Sequence, residues 1–156
     1  MSGIQTPNEK AQSGSGATPL STLIFGVASG DLEAVEAQLA DGIEWDQMPY
    51  NQKVRGKKDV MKWLTAGSKS EKKPEVINDV LADKWGVFEY WNIGTATKEL
   101  IEFGVKQGWP FPNDPTSLIG QTYRVAQCFV YHLDANGRID LMRQYLDAGS
   151  VWAQFK

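Results

Sequence analysis

The spacing of apolar and polar positions changes near the middle of the chain, dividing it into a helical first part and an extended second part. Thr18-Pro19 sets a hydroxyl N-cap before a proline at the first helical position, and Leu20, Leu23, Ile24 and Val27 follow at helical spacing. This predicts a helix that stops near Gly30. Asp31 caps a second helix, in which Leu32, Val35 and Leu39 recur at three and four residues and which ends at Asp41-Gly42. Residues 43–48 read as a first strand closed by Pro49. Residues 57–66 read as a third helix with Val60, Met61 and Leu64 on one side and Gly56 and Gly67 bracketing it.

From Glu75 onward the apolar positions alternate, which predicts strands over residues 75–82, 85–93, 98–106, 121–133 and 138–146. Asp134-Ala135-Asn136-Gly137 is a turn signal joining the last two as a hairpin. Pro110, Pro112 and Pro115 cannot donate to a strand ladder, so the segment from Gly108 to Pro115 reads as an elongated hairpin tip or flap. Gly149-Ser150 opens a short C-terminal helical turn carrying Val151 and Phe155. Residues 1–17 are rich in Ser, Gly, Gln and Asn and offer little surface to bury, so they read as a loose tail to a single domain over 18–156. Three helices before a bent antiparallel sheet predict an α+β arrangement with the helices on the concave face.

Composition removes several classes of function. The 156 residues suffice for one core, 42% of them are hydrophobic and the formal charge is −3, without the basic footprint of a nucleic-acid binder. No apolar run reaches the roughly 20 residues of a membrane helix, and no basic start precedes an apolar signal core, so a soluble, cytoplasmic protein is expected. Cys128 and His132 are the sole members of their types, which rules out a disulfide within the chain and a thiolate- or imidazole-rich metal site. Neither metal nor cofactor is expected. The six tryptophans, five tyrosines and six phenylalanines exceed what a modest core needs and suit a slot for a flat ligand.

The order of these elements, with Ser29-Gly30-Asp31, the stretch from Trp45 to Pro49, Val54-Arg55-Gly56-Lys57-Lys58-Asp59, and the stretch from Ile139 to Asp147, resembles the SnoaL-like and limonene epoxide hydrolase branch of the nuclear-transport-factor-like superfamily. The resemblance spans about residues 18–155. It implies a cone-shaped, curved, largely antiparallel (mixed) sheet covered by about three N-terminal helices, a deep apolar pocket, and a homodimer formed through the convex face. The hydrolases of that branch hold a water with a tyrosine and an asparagine, and activate it with an arginine and two aspartates. Here those positions fall on Trp45, Gln47, Tyr90, Asn92 and Gln144. Amides and a phenol cannot relay a proton as carboxylates do, which argues against epoxide hydrolysis by that route.

Strand parity then groups Phe88, Tyr90 and Asn92 on one face, and Tyr123, Val125, Gln127 and Phe129 on one face, with Arg124, Cys128 and His132 opposite. Asp46, Tyr90, Asn92 and Gln144 are the candidate catalytic residues. Asp46 is expected as a general base raised in pKa by aromatic burial, Tyr90 as a proton donor, and the amides as an oxyanion cradle. Trp45, Gln47, Tyr50, Phe88, Trp109, Phe111, Gln127 and Leu146 are the candidate substrate contacts. Asp147 and His132 are weaker candidates for the base, each with a structural alternative, and the charge run from Lys69 to Lys73 reads as a solvated loop.

The expected function is a cofactor-independent lyase or isomerase working by proton transfer on a hydrophobic, aromatic small molecule. Deformylation of a lignin-derived diarylpropane diol is one such chemistry that the resemblance implies. A limonene-type epoxide hydrolase and a non-catalytic small-molecule-binding module are the alternatives.

Overall fold

A computed structural model describes residues 18–111 and 114–155; the expected tail over 1–17 lies outside the described residues. Helix α1 (Pro19–Ser29) starts where Thr18 Oγ1 accepts from the Ser21 amide and stops at Gly30, whose φ of 77° lets its N–H return to the carbonyls of Gly26 and Val27. Asp31 caps α2 (Leu32–Ala37) through the Ala34 amide. That helix is shorter than predicted: Leu39 opens strand β1 (Leu39–Gln47), and Asp41-Gly42 lie within the strand. Leu39 is fully buried there, so the helical spacing reflected a core position that the strand satisfies equally well.

Strand β2 (Gln52–Arg55), not anticipated, pairs antiparallel with β1 after a 3-10 turn at Met48–Tyr50. Helix α3 (Lys57–Ser68) follows and includes Gly67, which was expected to end it. Strand β3 (Glu71–Ala82) begins inside the charge run read as a loop, because Glu71, Lys72 and Lys73 pair with Thr95, Gly94 and Ile93. Strand β4 (Trp85–Thr95) completes a hairpin turning at Asp83, whose φ is 56°.

The largest departure is residues 98–106, expected as a strand and observed as helix α4 (Lys98–Gln107). Thr97 caps it through the Leu100 amide, and Gly108, with a φ of 75°, ends it against Gly104 and Val105. Gly108 to Pro115 is therefore no hairpin tip. It leads from α4 through a 3-10 turn at Pro115–Leu118 into β5 (Thr122–Leu133), with residues 112–113 outside the described ones. Strand β6 (Ile139–Leu146) and helix α5 (Ala148–Ala153) complete the fold.

The strand order is β2-β1-β6-β5-β4-β3. All pairs are antiparallel except β1 with β6, which makes the sheet mixed. Register shifts between Leu39 and Glu44, between Val76 and Asn78, and between His132 and Leu133 mark the irregularities that let a sheet curl. Helices α1 and α3 pack on its concave side, where Leu20, Leu23, Val60, Phe88, Tyr131 and Met142 are wholly buried. A second, smaller cluster of Ala96, Ile101 and Leu118 with Phe111 and Phe155 ties α4 and α5 to the end of the sheet.

Candidate functional site

Between the two clusters lies a cavity of about 210 Å³. Its wall includes Ile24 and Val27 of α1, Trp63 and Leu64 of α3, and Leu100 and Ile101 of α4. A chain of rings runs along it. Phe129 to Trp45 is 6.4 Å between centroids, Trp45 to Trp63 6.3 Å, Trp63 to Trp109 6.0 Å and Trp109 to Phe111 6.1 Å, in tilted or edge-on contacts of the kind aromatic quadrupoles favour. Gly104 makes room for this chain, since a Cβ there would meet the Trp109 ring.

The sheet supplies the polar part. Tyr90 and Gln127 are cross-strand partners on β4 and β5, and Gln144 of β6 stands one pair further on, opposite Phe129. The Tyr90 hydroxyl donates to Gln127 Oε1 at 3.0 Å, and Gln144 Nε2 donates to the same oxygen at 2.9 Å. One carbonyl thus fixes two donors, and all three groups are neutral. Burial, with a smaller contribution from Tyr123, pushes the Tyr90 phenol well above the ordinary tyrosine value, so it stays protonated and remains a donor. Burial raises Tyr50 as well.

Gln47 and Asn92 are 4% and 7% exposed, and their side chains make no hydrogen bond among the described residues. The indole N–H groups of Trp45 and Trp109 are likewise buried without an acceptor. Such donors are costly to leave unmade, and these four residues line one cavity, where a polar ligand could complete them; Tyr131 Oη and Asp46 Oδ1 are buried away from it without a hydrogen-bond partner among the described residues. No Asp, Glu or His lines the cavity among the described residues, and Lys72 is its one charged side chain. Nowhere among the described residues do three His, Cys, Asp or Glu side chains gather as a metal site would require.

Of the residues expected at the site, Trp45, Gln47, Tyr50, Tyr90, Asn92, Trp109, Phe111, Gln127, Gln144 and Leu146 all line this cavity. The five positions aligned with the epoxide hydrolase machinery are thereby brought together. Asp46 is a correction: strand alternation turns it away from Trp45 and Gln47, and its carboxylate lies 3.3 Å from Lys53 Nζ and 3.9 Å from Arg143 Nε. The Lys53 contact is an ion pair without hydrogen-bond geometry. Phe88 is a second correction, because it is fully buried beneath Tyr90, with centroids 5.2 Å apart, and does not reach the cavity.

Asp147 is exposed and caps α5 through the Ser150 amide, and His132 Nδ1 pairs with Asp140 at 2.7 Å on the opposite side of β5. Trp63 and Lys72 were missed. Val60, Trp63, Leu64 and Gly67 share one helical stripe, which was available in the sequence; Lys72 was hidden in the charge run.

No protein-family profile and no curated protein matches the chain. Solved structures do. A putative polyketide cyclase from Xanthomonas campestris pv. campestris superposes with a TM-score of 0.67 at 18% identity, over 88% of this chain and 94% of that one. An LEH-like epoxide hydrolase from M. tuberculosis gives 0.64 at 14% identity, over 88% and 86%. A protein with a ketosteroid isomerase-like fold from Catenulispora acidiphila gives 0.65 at 11% identity, over 89% and 92%. At these identities the likeness is one of fold: a curved mixed sheet covered by helices, the α+β fold shared with structures described as ketosteroid isomerase-like, polyketide cyclase and LEH-like epoxide hydrolase.

Proposed function

We propose that the protein is a cofactor-independent acid–base enzyme of the lyase or isomerase type, acting on an aromatic or otherwise flat apolar molecule that carries a carbonyl or hydroxyl group. The observation that carries this reading is the neutral cradle of Tyr90, Gln127 and Gln144 set in an aromatic wall. Tyr90 gives its one proton to Gln127, so the donors left for a developing oxyanion are the Nε2 hydrogens of Gln127 and the second Nε2 hydrogen of Gln144. Fixed neutral donors of this kind stabilise it without reorganising, and removing one in other enzymes costs on the order of a hundredfold in rate. The lining offers no carboxylate or imidazole among the described residues, so the proton acceptor in this reading is a water or the ligand's own oxygen.

Hydrogen–deuterium exchange next to the carbonyl of a bicyclic aromatic ketone, followed by mass spectrometry, tests the proposal. Catalysed exchange that falls about a hundredfold in Gln144→Met, with ligand affinity retained, is the expected result. Tight binding without exchange would favour the non-catalytic binding module. The limonene-type hydrolase reading predicts oxygen from labelled water in a diol product, and the absence of cavity carboxylates among the described residues speaks against it. A cavity of about 210 Å³ suits one or two rings, so a diarylpropane diol would extend through its mouth.

The proposal includes a homodimer through the outer sheet face, where Trp85 is 48% exposed and Val80 and Val87, a cross-strand pair, are 52% and 39% exposed. Sedimentation at micromolar concentration showing only monomer would contradict it.

A further inference from the structure

Resting on that reading of the cavity, we propose that Lys72 recognises an acidic group of the ligand, so that the molecule accepted is an aromatic carboxylic acid rather than a neutral aromatic. Lys72 is half-buried, and its ammonium reaches back against α3, about 3.5 Å from where a Cβ on Gly67 would stand. Gly67, Lys72 and Pro74 all belong to the cavity wall. Among the described residues the Lys72 ammonium has no carboxylate within ion-pair reach and makes no hydrogen bond, whereas Lys53, Lys57 and Lys98 each have an acidic partner. A cation partly withdrawn from water gains most from an opposite charge, and none of the lining groups among the described residues provides one.

The position also fixes the shape of the ligand. Lys72 pairs in register with Gly94, and Tyr90 lies four residues earlier on β4, so roughly 13 Å of strand separates the lysine from the cradle. Asn92 lies between them and Tyr123 fills the space over Gly94, its hydroxyl 3.3 Å from Ser70 Oγ. The molecule that satisfies both ends carries its acid at one end and its reacting oxygen at the other, with rings between. One lysine matches the single charge of a carboxylate; a phosphate, with nearly two charges and more acceptors, calls for further donors.

Isothermal calorimetry with 2-naphthoate and its neutral isostere 2-naphthamide tests this on the full chain and on Lys72→Met and Lys72→Arg. The wild type is expected to prefer the acid by about tenfold or more. Lys72→Met should lose that preference while binding the amide within about twofold of wild type, and Lys72→Arg should keep most of it. A wild type that binds the amide as well as the acid, or a preference that survives in Lys72→Met, overturns the assignment of Lys72 and leaves the cavity reading standing. Binding of neither compound to the wild type overturns the cavity reading, and the assignment of Lys72 with it.

Discussion

The two faces of the same three strands carry opposite chemistry. On the inward face Gln47, Gln127 and Gln144 meet aromatic rings, and the bonds that Gln127 and Gln144 make are between neutral groups. One residue away on β1 and β6, Asp46 and Arg143 look outward, where Asp46 lies in ion-pair reach of Lys53 and of Arg143; on β5 His132, outward by the same parity, is hydrogen-bonded with Asp140. Register sharpens the contrast, since Asp46 stands opposite Arg143 and Gln47 opposite Gln144 on neighbouring rungs. The period of two along a strand thus separates ionised from neutral groups, and chemistry that looks contiguous in sequence is divided between water and cavity.

The largest effect that tests this contrast is on stability. Trp45→Ala, inward, is expected to cost about 3–5 kcal/mol by urea unfolding, whereas Arg143→Ala, outward and part-exposed, should cost less than about 1 kcal/mol. Equal costs would break the comparison. Next comes Gln127→Leu, which leaves the buried Tyr90 hydroxyl without its acceptor and should cost about 2–3 kcal/mol. Adding Tyr90→Phe to that variant should recover part of the loss, because two apolar groups of matching shape replace a broken pair.

Alkaline pH sharpens the inward side further. The folded-state pKa of Tyr90 is raised, so the stability tied to its protonated form is fully present below the ordinary tyrosine value of 10.0 and is lost as pH climbs beyond it. The stability gap between wild type and Tyr90→Phe should therefore be constant between pH 7 and about 9 and shrink at about pH 11. Tyr50 and Tyr131, raised in the same direction by burial, remain in both proteins and cancel in the difference. The smallest effect belongs to Asp46→Asn, at most about 1 kcal/mol, screened by salt and without change in ligand affinity.

Much of the inward face was legible from parity once the resemblance had set Tyr90 and Asn92 at pocket positions. Strands β4 and β5 run without a bulge between them, so alternation placed Tyr90, Asn92, Val125, Gln127 and Phe129 on the cavity side. The same rule applied to β1 should have excluded Asp46, which sits between Trp45 and Gln47. Its aromatic neighbours in sequence suggested a place in the cavity wall, whereas the pleat half-buries it on the outer face beside Lys53 and Arg143.

Helix α4 was misread because Ile101, Phe103 and Val105 alternate with Glu102, Gly104 and Lys106 as a strand would. In the helix Val105 is left 54% exposed, and Ile101 and Gly104 form the buried stripe. The caps at Thr97 and Gly108 bracket it, and they outweigh the alternation. The start of β3 was obscured by its own charges. Only the pairing with β4 shows that Lys72 and Pro74 face inward while Glu71 and Lys73 are exposed. What no local pattern contained was the meeting of Gln127 and Gln144 on one oxygen, which depends on the register of β5 against β6.

The tryptophans offer the most direct test of the central claim, since Trp45, Trp63 and Trp109 line the cavity while Trp85 and Trp91 pack outward against His132 and Arg124. Proton–nitrogen correlation spectra recorded during titration with 2-naphthoate resolve their indole N–H signals and the side-chain amides. The account predicts shifts in Trp45, Trp109, Asn92 and Gln144 with Trp85 and Trp91 unmoved. Saturable shifts at Trp85 and Trp91 with the inward signals silent would contradict it.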